Sequence, residues 1–483
     1  MEHADILWAL AGIFGFYMAW NIGANDVANA MGTSVGSGAL TLRRAVIVAA
    51  VLEFAGAFLA GSKVSDTVRK GIVDADLFSG DPTAFICGML AALLAAGAWL
   101  QIASYYGWPV STTHSIVGAI IGFGILYAIE APPERNLSWT TAIHWPKVGQ
   151  IVSSWVISPL LSATISYLTF KLLLKNIFYQ KNPLQATKRL APLLVFIVMT
   201  ILTLTMVFKG LKNIDLDLEL GPALLISMGV GFVSAIIAAV LVRRIKVTDP
   251  VESSSGHKIQ YQEQSLQKAR KHLRRLQDVS DAGTQEEIAT LLKGAEDLGA
   301  RLEKKRGPTD NPALNKVEKI FIYLQILSAC FVAFAHGSND VANAIGPLSA
   351  VLQTIEDGKV ALKSTVAPEV LALGGLGIII GLATWGWRVM ETVGRRITEL
   401  TPSRGFTAEF AAATTIVLAT KLGLPISTTH TLVGAVVGVG LARGMGALNL
   451  NTVRDIAISW VITVPAGAIF AMIFYEILMA FFG

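Results

Sequence analysis

The sequence predicts an all-α polytopic membrane protein: two inverted-topology repeats with discontinuous or re-entrant helices, about 12 membrane segments in all. Three observations predict it. Of the 483 residues, 53% are hydrophobic and only 15% charged, where a soluble domain carries about 25% charged residues; the mean hydropathy is +0.57. Several runs exceed the roughly 20 apolar residues that cross a bilayer. Finally, Gly23-Ala-Asn-Asp-Val-Ala-Asn-Ala-Met-Gly32 returns 314 residues later as Gly337-Ser-Asn-Asp-Val-Ala-Asn-Ala-Ile-Gly346, each time at the end of an apolar segment.

The apolar segments, in order, are expected at about Ile6–Asn21, Ala45–Gly61, Ala84–Tyr105, Ile116–Ile129, Val148–Leu174, Leu190–Phe208 and Leu220–Val242. The third ends at Trp108-Pro-Val-Ser-Thr-Thr-His114, from which the fourth starts. Residues 243–319 change character: they are charged, with Ser253-Ser-Ser-Gly256 and basic clusters at Lys268–Arg275 and Lys304–Arg306. That stretch reads as a solvated loop or small helical domain, helical over parts such as Tyr261–Leu276. The pattern then restarts with Ile320–Ala335, Val366–Trp387, Ala408–Leu422, Leu432–Leu441 and Val453–Phe482. Leu424-Pro-Ile-Ser-Thr-Thr-His430 repeats the first Ser-Thr-Thr-His motif, and Ser459-Trp-Val-Ile462 echoes Ser154-Trp-Val-Ile157.

Each half thus holds five segments, with two extra spans between them. The expected parts are a first transmembrane repeat (1–175), two linking spans (176–242), a hydrophilic cytoplasmic loop (243–319) and a second, inverted repeat (320–483). Seven crossings before the central loop turn the second half over, whether or not segments three and four form a re-entrant pair. With the central loop cytoplasmic, both termini are extracellular. Arg43/Arg44, the Lys175–Arg189 loop, the Arg388–Arg404 loop and Arg443/Arg454 then lie inside, as the positive-inside bias requires. Met1-Glu-His-Ala-Asp5 lacks a basic signal-peptide n-region, so the first span is expected to be kept. The net charge of +5 does not imply nucleic acid, because the basic residues sit largely between spans. Cys87 and Cys330 lie in apolar segments without metal-ligand spacing and read as packing residues.

An ionisable residue in an apolar span is costly, so Asp26 and Asp340 are functional candidates. Asn25, Asn29, Asn339 and Asn343 add amide oxygens at (i, i+4) spacing, on one face if helical. Carboxylate and amide oxygens suit a small hard cation. The alternative, a polar patch that glues helices together, does not account for two copies in matching places.

In the Pro-x-Ser-Thr-Thr-His motifs, proline fits the entry to a helix, and Ser and Thr are favoured N-caps. The free N–H groups and positive dipole end beyond such a cap make an anion site, to which Ser111, Thr112, Thr113, Ser427, Thr428 and Thr429 add hydroxyls. The alternative is plain capping after a tight turn. His114 and His430 are accessory candidates that could donate to an anion or shuttle protons; the reading favoured is that they brace the helix start. Glu409, in an apolar context, is a third accessory candidate. Glu53 is a further acidic residue in a span, Asp66 reads as a rim salt bridge with Lys63 and Arg69, and His336 lacks a counterpart in the first motif.

These paired motifs resemble the PiT family of inorganic phosphate transporters, over the whole chain, linking spans and central loop included. The resemblance implies two inverted repeats, extracellular termini, a cytoplasmic central loop, and orthophosphate uptake driven by a cation. The Asn-Asp-Val-Ala-Asn wording is similar to the sodium-coupled branch; proton-coupled bacterial members more often have His-Asp where this chain has Asn25-Asp26. The expectation is therefore a sodium–phosphate symporter of the plasma (cell inner) membrane, with alternating access around a midplane site. It would be surrounded by the lipid bilayer and form a homodimer, with no cofactor and no metal beyond sodium. The alternative is a proton-coupled carrier of phosphate, metal-phosphate or another oxyanion such as sulfate. An intramembrane aspartic protease would leave the Asn and Ser-Thr-Thr motifs without purpose, and a serine hydrolase built on Ser111 and His114 lacks a Gly-x-Ser-x-Gly elbow. The chain is therefore not expected to be an enzyme.

Overall fold

The computed structural model describes residues 3–60, 72–73, 75–131, 138–207, 218–245, 281–305, 312–360, 366–421 and 426–483, with scattered helical residues between 266 and 277. The first half holds α1 (Ala4–Gly36), α2 (Leu42–Ala60), α3 (Pro82–Tyr106), α4 (Thr112–Glu130) and α5 (Trp145–Leu173). The linking hairpin is α6 (Pro183–Val207) and α7 (Leu220–Arg243), and α8 (Ala282–Lys305) lies in the central stretch. The second half holds α9 (Pro312–Asp340), α10 (Ala342–Asp357), α11 (Pro368–Trp385), α12 (Pro402–Lys421), α13 (Thr428–Arg443) and α14 (Leu450–Phe482). Among the described residues, nine helical stretches are long and apolar enough to cross a membrane. The Ser253–Gly256 stretch, Asp66 with Lys63 and Arg69, and Leu424 with Pro425 lie outside the described residues.

Local chemistry sets the helix ends. Asp81 caps α3, accepting the Ala84 N–H at 3.0 Å, with Pro82 in the first turn where its missing donor costs nothing. Gly107 ends α3 at φ 69°, the left-handed position a glycine cap supplies. Asn449 caps α14 through the Thr452 N–H. Pro159, Pro347 and Pro465 lie inside helices, which is tolerated in membrane bundles because neighbouring groups re-satisfy the freed carbonyls.

Two expected boundaries move. The first Asn-Asp motif is not the end of a segment: α1 runs through it to Gly36, burying every residue from Asn21 to Ser34. The second motif is split, with α9 ending at Asp340 and α10 starting at Ala342. There the turn tightens to an Ala344 N–H bond to the Val341 carbonyl at 3.1 Å.

The two halves are interleaved. Helix α1 packs on α11 and α9 on α2; α5 packs on α13 and α4 on α14. Each half's motif helix therefore lies against the other half. The two crossings rely on matching glycines. A Cβ on Gly23 would come 1.9 Å from the Ile378 carbonyl oxygen, and one on Gly337 2.2 Å from that of Glu53. Backbones approach this closely only over a residue without a side chain. The hairpin α6–α7 packs outside, chiefly on α9, and shows a broad apolar face with Leu225 74% and Phe232 62% exposed.

Candidate functional site

The chain breaks between Gly107 and Ser111, where α4 starts, and α13 starts at Ser427 in the same form. Ser111 (φ −90°, ψ 122°) accepts the His114 N–H at 3.3 Å; Ser427 (φ −91°, ψ 120°) accepts the His430 N–H at 3.2 Å. Both serines are thus N-caps. The amides of the first helical residues, Thr112 and Thr113 in α4 and Thr428 and Thr429 in α13, have no intrahelical carbonyl to reach. The Gly107–Ser111 break is pinned by Asn25: its Nδ2 donates to Ser104 Oγ and the Trp108 carbonyl, each at 3.0 Å, and its Oδ1 accepts the Val110 N–H at 3.1 Å. Asn25 therefore serves first to shape the break.

The threonines meet the aspartates. Thr112 Oγ1 donates to Asp26 Oδ2 at 2.7 Å, and Thr428 Oγ1 donates to Asp340 Oδ2 at 2.9 Å, each within its own half. The amides then cross over. Asn29 Nδ2 donates to Thr429 Oγ1 at 2.9 Å and to Asp26 Oδ1 at 3.2 Å. Asn343 Nδ2 donates to Thr112 Oγ1 at 3.2 Å and to Thr113 Oγ1 at 3.3 Å. Thr429 Oγ1 also donates to Asp26 Oδ1 at 3.0 Å. Asn339 Nδ2 donates to Asp340 Oδ1 at 3.0 Å. The two helix starts, 316 residues apart in sequence, thus face one another across a buried knot of carboxylates, amides and hydroxyls. Asn29 Oδ1 is buried in it without a hydrogen-bond partner.

His114 and His430 touch neither aspartate. Their rings meet edge to face at 4.4 Å, and each lies at 3.6 Å on a tryptophan, Trp155 and Trp460 respectively. His430 Nδ1 lies 3.2 Å from the Trp155 carbonyl oxygen. The echoed Ser-Trp words supply those two tryptophans. Glu409 also stays apart. It accepts Thr33 Oγ1 at 2.5 Å, Ser34 Oγ at 2.9 Å and Gln325 Nε2 at 3.3 Å, with Ser328 Oγ on its other oxygen. Thr33 lies seven residues beyond Asp26 on α1, about 10 Å along the helix axis.

Two residues that sequence reasoning left aside belong to the site. His336 Nε2 lies 2.8 Å from Asp340 Oδ2 and 4.0 Å from Asp26 Oδ2, and its Nδ1 lies 3.4 Å from Glu53 Oε1. All four side chains are buried. The (i, i+4) spacing of His336 and Asp340 was the available signal; Glu53 arrives from α2, where a carboxylate in an apolar span was the signal but nothing local tied it to His336. One oxygen of each aspartate and one nitrogen of His336 lie within 4.8 Å of one another. Two ionised carboxylates at that separation repel by about 3–4 kcal/mol at an effective dielectric near 20. Positive charge between them is therefore strongly favoured. The oxygens of Asp26, Asn29 and Asp340 suit a hard cation, while the imidazole of His336 borders them on one side.

The sequence model of the phosphate transporter family matches residues 22–471. The chain is 45% identical over 465 residues to the chloroplastic inorganic phosphate transporter 2-1 of Arabidopsis thaliana, covering 96% of this chain and 70% of that one. It is 41% identical to a putative phosphate permease of Haemophilus influenzae, covering 99% and 97%. A solved structure described as the sodium-dependent phosphate transporter superposes with a TM-score of 0.75 at 36% identity, covering 98% of this chain and 99% of that one.

Proposed function

The chain belongs to the phosphate transporter family, an integral membrane family of transporters and not enzymes, and from that premise we propose that it imports inorganic phosphate by sodium symport. One observation carries the reading: two opposed helix starts bearing Ser-Thr-Thr share a buried knot with two aspartates. Phosphate sits between the helix starts, on the amides of Thr112, Thr113, Thr428 and Thr429 and on their hydroxyls, with Ser111 and Ser427 shaping the caps. Sodium ions sit on Asp26 with Asn29 and on Asp340 with Asn343, while Asn25 and Asn339 complete the surroundings.

The shared hydroxyls supply a coupling device. Thr112 and Thr428 donate to the carboxylates. A cation on the carboxylate competes for that oxygen and releases the hydroxyl to donate to an anion. Cation and phosphate then favour one another, and linkage makes the effect mutual. The energetics require such coupling. Moving one charge against 100 mV costs about 2.3 kcal/mol, so a phosphate dianion entering a negative interior costs about 4.6 kcal/mol on the same scale. Two sodium ions cancel that cost.

The architecture proposed with this function is a pair of inverted repeats (1–175 and 320–483) in about 12 segments. They are joined by the linking hairpin (176–242) and a cytoplasmic stretch (243–319). The termini lie outside, in the plasma membrane, with a homodimer as the assembly. The interchanged packing of α1 on α11 and α9 on α2 supports the two-fold relation.

A second reading, proton coupling, is favoured by one observation: His336 between Asp340 and Glu53 is a protonatable group inside the cation knot. The deciding experiment is labelled phosphate uptake into proteoliposomes under a sodium gradient, a proton gradient or neither. Uptake is expected with sodium; uptake under the proton gradient alone would select the second reading, and uptake under none would discard both.

A further inference from the structure

Among the described residues the linking hairpin gives no side chain to the central knot, yet with α9 it encloses a crevice of about 530 Å3. That lies inside the range of about 300–1,000 Å3 typical of small-ligand sites. Its walls are Ala191 and Val195 from α6, Ala238 and Leu241 from α7, and Ile320 and Leu324 from α9. Two alanines, on α6 and α7, leave the space. Ile237, Leu241 and Tyr323, which also line it, are 54%, 56% and 75% exposed, so the crevice opens on the outer apolar surface of the bundle.

The three helices meet the crevice at one common end: the start of α6, the last turn of α7 and the start of α9. That end is basic. Lys188 and Arg189 stand one turn or less before Ala191; Arg243 and Arg244 stand between lining residues Val242 and Ile245; Lys319 precedes Ile320. Lys188 Nζ donates to the carbonyl oxygen of Ile245, which places one ammonium at the mouth itself. Arg189, Arg243, Arg244 and Lys319 are exposed. The acid on this turn of α9, Glu318, is turned to α12, accepting the Ser403 N–H and Oγ, each at 2.8 Å. An apolar slot open to lipid with a cationic mouth has the complementarity of an amphiphile carrying a phosphate.

We propose that this crevice binds an anionic phospholipid, with an acyl chain between α6, α7 and α9 and the headgroup phosphate on Arg243, Arg244 and Lys188. Basic pockets between membrane helices are suited to anionic headgroups, and guanidinium groups bind phosphate oxygens in pairs. Such a lipid would tie the linking hairpin to α9, the helix that carries His336 and Asp340.

The test uses the delipidated full chain in neutral detergent, with adducts counted by native mass spectrometry. It is titrated separately with dioleoylphosphatidylglycerol, dioleoylphosphatidylcholine, the deacylated glycerol headgroup and inorganic phosphate. The expected result is one phosphatidylglycerol adduct per chain, held at least tenfold more tightly than phosphatidylcholine and not displaced by headgroup or phosphate. Arg243→Gln with Arg244→Gln should lower that preference about tenfold, and Ala238→Trp, which fills the slot, should remove the adduct. Phosphate uptake in both variants reports that they are folded, and the surface Arg pair keeps the test open if the Trp variant is not. Equal retention of the two lipids, or an adduct unchanged in the Arg pair, would overturn the proposal. So would displacement by the free headgroup, or a chain dimer, in place of lipid, that Ala238→Trp abolishes.

Discussion

His336 Nε2 stands 2.8 Å from Asp340 Oδ2, one helical turn along α9, and among the described residues the first half has no counterpart. The residue matching His336 is Ile22, and the residue facing Gly23 where Glu53 faces Gly337 is Ile378. The two halves match in the bonds Thr112–Asp26 and Thr428–Asp340, differ in that Asn25 pins the Gly107–Ser111 break while Asn339 donates to Asp340, and bring His336 and Glu53 to one side only.

Removing His336 leaves Asp340 and Glu53 buried without the group between them. Breaking a buried ionic contact by deleting one partner costs about 3–5 kcal/mol. His336→Gln should therefore lower the unfolding temperature in detergent, and Glu53→Gln added to it should restore much of the loss. Additive losses in the double variant would show that the two side chains are not coupled.

Each aspartate is expected to hold one cation. Asp26→Asn and Asp340→Asn keep size and remove a charge, so each should reduce the steepness with which sodium enhances phosphate binding. Calorimetric phosphate titrations at a series of sodium concentrations measure that slope. Unchanged slopes in both variants would make the duplicated aspartates structural.

Thr112→Val and Thr428→Val keep shape and remove one hydroxyl. Phosphate affinity should fall by about 1–3 kcal/mol, the scale of a hydrogen bond to a charged group. Sodium binding without phosphate should not weaken, because the lost hydroxyl competed for the carboxylate. Sodium binding that falls as far as phosphate binding would refute the shared-hydroxyl device.

The matching close approaches predict matching sensitivity. Gly23→Ala and Gly337→Ala each drive a methyl into a facing backbone carbonyl, a form of overpacking that costs about 1–3 kcal/mol or more. Thermal unfolding should show both variants destabilised. Gly12→Ala, whose Cβ meets nothing within 4 Å, is the control and should be neutral or better.

Topology is checked with single cysteines at Glu287, exposed on α8, and at Gly483, in a background of Cys87→Ala and Cys330→Ala. An impermeant thiol reagent on sealed vesicles should reach the two from opposite faces. Labelling from one face would remove the inverted-repeat proposal.

Much of this protein is written in its sequence. Apolar runs are local, so α2, α3, α4, α5, α7, α11, α13 and α14 fall within a few residues of where hydropathy places them, whereas α6, α9 and α12 start six to eight residues earlier and α8 and α10 lie in no expected apolar segment. The duplicated motifs name Asp26, Asn29, Thr112 and their partners directly, because a costly polar residue in an apolar span stands out against its neighbours. The capping role of Ser111 and Ser427 is likewise a property of four consecutive residues.

Other features were decided only in three dimensions. That Asn29 reaches Thr429 while Asn343 reaches Thr112 and Thr113 depends on α1 crossing α11 and on the two helix starts facing one another. Glu53 joins His336, and Glu409 instead gathers Thr33, Ser34, Gln325 and Ser328, through contacts between separate helices. Periodicity within a segment tells which residues share a face; it does not tell which face of which helix lies opposite. That choice is made by packing, through the glycines that let two backbones touch and the tertiary placement that lets buried polar groups find one another.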